Sequence, residues 1–122
     1  MRRWKNLVLV SLLCVDVAFS HHSLGALFDT SRTISVAGEV TEVQFIAPHS
    51  YIHLRVVGES AEETVWQIES YPQGMLIRKG LTQATLQPGD EVAVRGYPSR
   101  DGRPLMRLLD ITMPDGQELQ IH

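Results

Sequence analysis

Five histidines carry most of the chemistry available to this chain: His21, His22, His49, His53 and His122. The first two stand in the run AFSHHS, directly behind a hydrophobic leader. That leader reads MRRWKNLVLVSLLCVDVAFS, with Arg2, Arg3 and Lys5 ahead of an apolar stretch and the small residues Ala18 and Ser20 two apart. This is the three-part pattern of a secretory signal peptide over residues 1–20, with cleavage expected after Ser20. The apolar run is shorter than the roughly 20 residues a transmembrane helix needs, so no stable membrane anchor is expected after cleavage. His21 would then be the first residue of a periplasmic or secreted protein.

A histidine at a free N-terminus is a different ligand from one inside a chain. Its α-amino nitrogen and its ring Nδ1 can close a six-membered chelate on one metal ion. The amine has an ordinary pKa of about 7.7–8.0 and the imidazole about 6.5, so a metal displaces their protons readily near neutral pH. One more imidazole makes a T-shaped set of three nitrogens, a histidine brace. Planar nitrogen ligands select Cu(II), which also leads the divalent affinity order. His49 is the first choice for the third nitrogen, with His22 and His53 behind it, and Glu69 could orient a ligand histidine through its second nitrogen. Copper is thus the one cofactor the pattern suggests. A carrier or sensor is expected rather than an oxidative enzyme, since no nucleophile motif or oxidase cluster accompanies the histidines. The plainer alternative is that HHS is a solvated end left by the peptidase, His49 a turn residue and His53 an exposed strand residue.

Composition narrows the field. Cys14 is the only cysteine and lies inside the leader, so the remainder has no disulfide and no thiolate ligand. Without residues 1–20 the chain keeps eight basic and thirteen acidic side chains, a net charge of −5 with histidines neutral. No basic stripe is visible, which argues against nucleic acid as a partner. The remaining 102 residues suit one small domain.

The elements that must position these residues are read from hydrophobic alternation. Residues 21–33 look like an extended arm that Leu24, Leu27 and Phe28 could tack onto a core. In ISVAGEVTEVQFI, Ile34, Val36 and Val40 share one parity and Val43 and Phe45 the other. Such a phase slip near Thr41–Glu42 marks a bulge or sharp bend in a long first strand. APHS reads as a turn, and SYIHLRVV and TVWQIES alternate as second and third strands. Pro72 and Gly80 bracket a short helix. Pro88-Gly89-Asp90 turns into a fourth strand, EVAVRGYP. Asp101-Gly102 suits a type I′ hairpin before a fifth strand, LMRLLDITM, and ELQIH can add a short last strand. Three strands, a short helix and two strands give an all-β, five-stranded OB-like barrel over residues 34–122.

The chain resembles a family of small secreted bacterial proteins catalogued as a domain of unknown function. The likeness rests on HHS at 21–23, Phe28-Asp29, Gly38-x-Val40, Pro48-His49, Trp66-x-x-Glu69, Leu76-x-x-x-Gly80, Pro88-Gly89-Asp90 and the Asp101-Gly102 hairpin. That family usually has asparagine before Pro-His, where this chain has Ala47. The resemblance implies secretion and a β-barrel and carries no settled activity.

A second function is open to such a barrel. OB barrels bind ligands across strands two and three. Tyr51, His53 and Arg55 on strand two, with Trp66 and Glu69 on strand three, would then hold a small anion, a sugar or a peptide without any metal. An ordinary solvated sheet face gives the same alternation.

Overall fold

The computed structural model describes residues 23–122; the expected leader, His21 and His22 lie outside the described residues. Eight elements follow in order: α1 (Leu24–Leu27), β1 (Ile34–Gln44), β2 (Ser50–Val57), β3 (Glu63–Ser70), α2 (Gln73–Arg78), β4 (Glu91–Pro98), β5 (Leu105–Thr112) and β6 (Glu118–Gln120). Strands β1 to β5 close into a mixed, OB-like barrel with the short helix α2 between β3 and β4, as the sequence pattern predicts.

The long first strand makes closure possible. Its first half pairs antiparallel with β4, from Ile34↔Gly96 to Glu39↔Glu91. Its second half pairs with β2, from Glu39↔Arg55 to Gln44↔Tyr51. Between the Val40 and Glu42 pairings the register shifts, and Thr41 is the extra residue. The phase slip is therefore a bulge, which bends the strand and lets it serve both sheets. The Thr41 hydroxyl donates to the His53 carbonyl at 3.3 Å and ties the bulge to β2. The Pro88-Gly89-Asp90 turn docks on the same place: Gly89 N–H donates to the Val40 carbonyl at 2.7 Å, and Val40 N–H donates to the Asp90 carbonyl at 2.8 Å.

β2 and β3 run in unbroken antiparallel register from Ser50↔Ser70 to Val57↔Glu63. The barrel closes where β3 meets β5 in parallel, through Gln67↔Leu105, Ile68↔Met106 and Glu69↔Arg107. β6 extends the far end of β5. Inward positions of every strand meet in one core. Val40, Ile52, Leu54, Ile68, Met106 and Ile111 are fully buried there, each side chain contributing about 1.5–3 kcal/mol by leaving water.

Helix α2 begins right after Pro72 and ends in a Schellman turn. Leu81 N–H bonds to the Leu76 carbonyl at 2.9 Å and Gly80 N–H to the Ile77 carbonyl at 3.1 Å. Gly80 takes φ +89°, the left-handed conformation that this cap needs. Leu76 is the one buried helix residue, so the helix contributes a plug rather than a packed face.

Two local expectations are corrected. The arm is not extended throughout: Leu24–Leu27 form one helical turn, and only Phe28 is buried. Phe28 pairs with Ser99 in an isolated bridge, while Leu24 and Leu27 stay 43% and 39% exposed. The β4–β5 connection is not a type I′ turn, because Gly102 has positive φ and Asp101 does not. The Asp101 carboxylate instead accepts from the Ser99 hydroxyl at 2.6 Å and from Arg103 N–H at 3.1 Å, which organises a longer loop.

Candidate functional site

The outward faces of four barrel strands line up one row of side chains. The register Tyr51↔Glu69 joins β2 to β3, Glu69↔Arg107 joins β3 to β5, and Tyr97↔Arg107 joins β4 to β5. Tyr51, Glu69, Arg107 and Tyr97 thus form a transverse band across the closure of the barrel. This band lines a cavity of about 790 Å³. The arm contributes Leu24, Leu27 and Phe28 to its wall, the β1–β2 connection Pro48 and His49, and the C-terminal part of the chain Leu108, Leu109 and His122. Arg100 holds the arm over this region, its Nε donating to the Gly25 carbonyl at 2.7 Å.

Glu69 is the hub. Its Oε1 accepts from Arg107 Nη1 at 3.0 Å and lies 3.1 Å from His49 Nδ1. Arg107 Nη1 also donates to the Ser70 carbonyl at 3.3 Å, and its guanidinium carbon stands 4.6 Å from the centre of the Tyr71 ring. The Glu69 and Arg107 side chains are only 11% and 12% exposed, whereas His49 is 46% exposed. Burial and the Glu69 carboxylate push the Tyr51 phenol above its ordinary range, with Arg107 acting in the opposite sense. A carboxylate facing Nδ1 of His49 favours the proton on that nitrogen, which leaves Nε2 with its lone pair as the ligating atom. His122 shares the arrangement: its Nδ1 lies 3.1 Å from the Leu109 carbonyl.

The residues expected to act together are only partly brought together. His49, Glu69 and Tyr51 share the cavity. His53 lies two residues further along β2, its Nδ1 3.6 Å from Glu42, buried and without a hydrogen-bond partner among the described residues. Arg55 is at the far end of the strand, paired with Glu39 at 2.7 Å and Glu63 at 3.3 Å. Trp66 is on the opposite face of β3, packed against the core. Of the five residues expected to hold a ligand on strands two and three, Tyr51, His53, Arg55 and Glu69 lie on the outward face and Trp66 on the inward one. His21 and His22 lie outside the described residues, but Leu24, three positions after His21, lines the same cavity as His49. Among the described residues no three His, Cys, Asp or Glu side chains are gathered as a metal site.

The sequence reading missed Arg107 and the cavity role of His122. Arg107 had one signal: a lone cation in the otherwise apolar run LMRLL, where a partner is required if the strand is buried. His122 had no local signal, because β6 and the following residues bring it back to Leu109 only in three dimensions.

No functionally curated protein matches the sequence significantly. Among solved structures, the complex of TiaS with its transfer RNA and ATP matches with a TM-score of 0.50 and 19% identity over 70% of this chain, which covers 19% of that chain. The small single-stranded DNA-binding protein from Streptomyces coelicolor gives a TM-score of 0.41 and 14% identity, over 67% of this chain and 90% of the other. These likenesses are of fold alone. The sequence itself is matched from residue 9 to residue 106 by a family of unknown function, DUF6152, and the chain belongs to that family.

Proposed function

We propose that this is an exported copper-binding protein, acting as a carrier or sensor, in which His21 and His49 share one ion. The observation that carries the reading is the contact of His49 Nδ1 with Glu69 in a cavity whose wall includes Leu24. Three residues span at most about 10 Å, which is the reach available to His21 from Leu24. The described residues supply His49, while the amine and imidazole of His21 supply the chelate. Glu69 fixes the orientation of the His49 ring, as carboxylates behind metal-bound histidines do. His22 is the alternative source of the third nitrogen, and export to the periplasm or beyond supplies the free amine.

The nucleic-acid partners of the structural neighbours are not carried over. The barrel arginines Arg55, Arg95 and Arg107 are each engaged by a carboxylate, and phosphate binding depends on cationic side chains being available.

The test compares Cu(II) affinity and the paramagnetic spectrum of the processed protein, of a version with one alanine before His21, and of His49→Ala. Each change should weaken binding by about tenfold or more, equivalent to about 1.4 kcal/mol, and alter the nitrogen hyperfine pattern. Equal affinity with an identical spectrum in the alanine-extended protein would remove the brace.

A further inference from the structure

The cavity has more room and more apolar wall than one metal ion uses. Its volume of about 790 Å³ falls in the range of roughly 300–1,000 Å³ typical of small-molecule sites. Such sites combine mostly apolar and aromatic walls with a few converging polar groups. Here Leu24, Leu27, Phe28 and Leu109 form the apolar part, and Tyr51, Tyr71 and Tyr97 bring ring faces with hydroxyls.

Charge decides among ligand classes. Arg107 and Glu69 already neutralise one another at 3.0 Å, both nearly buried. An anionic ligand would set a second negative charge beside Glu69, and a cationic one a second positive charge beside Arg107. Either repulsion is felt more strongly beside two side chains so little exposed than it would be in bulk water. A neutral ligand meets neither. Polar groups remain for it: a guanidinium has five N–H donors, and both contacts of Arg107 with Glu69 and Ser70 use Nη1. A sugar would place several hydroxyls against the leucines, where they lack partners, and leaving a hydroxyl without a partner away from water is unfavourable. A flat apolar ring bearing one acceptor fits better, stacking on tyrosine and accepting from Arg107.

We infer that this cavity binds a neutral aromatic compound carrying a carbonyl or hydroxyl group, with that oxygen at Arg107 and the ring beneath Leu24 and Leu27. This binding does not need copper, because it uses Arg107, the tyrosines and the leucines of the cavity and not His49, and the inference holds whether or not the brace exists. The experiment therefore uses metal-free protein with three probes of similar shape: acetophenone (neutral), benzoate (anionic) and benzamidine (cationic). Acetophenone should give saturable amide shifts in nitrogen–proton NMR spectra, concentrated at Leu27, Tyr71, Tyr97 and Leu109. Benzoate and benzamidine should bind at least about tenfold more weakly, the equivalent of about 1.4 kcal/mol. Leu27→Arg, at a position 39% exposed and so tolerant of a longer side chain, should weaken acetophenone by a similar factor while the spectrum of the unliganded barrel is kept. Absence of saturable shifts, equal binding by Leu27→Arg, or benzoate or benzamidine binding as tightly as acetophenone would overturn the inference.

Discussion

Replacing Gly96 with alanine tests the close packing of β4 against β5 most directly. Gly96 is in β4 beside the register shift that separates the Arg95 and Gly96 pairings, opposite Leu108. A methyl group added there would fall inside contact distance of the Arg107 carbonyl oxygen, 2.6 Å from Met106 Cγ and 2.9 Å from the Arg107 carbonyl carbon. The Met106 side chain can swing away; the backbone of β5 cannot, because it is paired with β4 on one side and β3 on the other. Over-packing of a core generally costs about 1–3 kcal/mol, and obstruction by backbone argues for the top of that range, about 3 kcal/mol. For a domain of this size each kcal/mol shifts Tm by roughly 4–8 °C, so Tm should fall by about 12–24 °C, read by circular dichroism. Gly25→Ala is the control: nothing lies within 4 Å of its added methyl, and stability should stay within about 0.5 kcal/mol. A Gly96→Ala protein melting within about 3 °C of the parent would refute the close approach of β4 to β5 as the reason for glycine there.

Two further outcomes follow from the buried charges and the phenol. Glu69→Gln strands Arg107, whose side chain is 12% exposed, and should cost about 3 kcal/mol in urea unfolding; Glu39→Gln, which leaves the 41% exposed Arg55 with Glu63 as its carboxylate partner, should cost no more than about 1 kcal/mol. Equal losses would mean that the Glu69–Arg107 pair is not desolvated. The Tyr51 phenol, raised by burial and by Glu69, holds its proton more tightly folded than unfolded, so its contribution to stability is complete below the ordinary pKa of about 10 and is lost as pH rises above it. Ultraviolet difference titration should show a late-ionising tyrosine that Tyr51→Phe abolishes, and an unchanged titration in that variant would assign the effect elsewhere.

Much of the architecture was legible because it is written in short-range alternation. The switch of parity between Val40 and Val43 announced the bulge at Thr41, and Pro72 with Gly80 bracketed the helix. The site was less legible, since its parts meet through pairings that alternation does not specify. Glu69 and Arg107 are 38 positions apart and meet only through the parallel β3–β5 ladder. His49 was singled out as the third nitrogen of the brace, and its contact with Glu69 comes from the β1–β2 connection folding over the end of β3. Arg55 and His53 alternate with Tyr51 on one strand face, yet a strand rises about 3.3 Å per residue, so Arg55 stands about 13 Å from Tyr51 along β2. Shared parity does not make a shared pocket. Asp101-Gly102 misled for a different reason: the Asp101 side chain organises the loop itself by accepting from the Arg103 amide and the Ser99 hydroxyl, with no left-handed backbone at Asp101.

The band from Tyr51 to Tyr97 crosses the seam where the two ends of the rolled sheet meet. A recognition surface laid over that join has no counterpart in an unrolled chain. Any guest seated on it draws its free energy from the finished cylinder alone, and so favours the whole domain over its unfolded form by RT ln(1 + [L]/Kd), about 2.7 kcal/mol at a hundredfold excess over Kd. Filling the cavity and locking the cylinder shut are then the same event, and a rise in melting temperature becomes a direct way to search for compounds that occupy it.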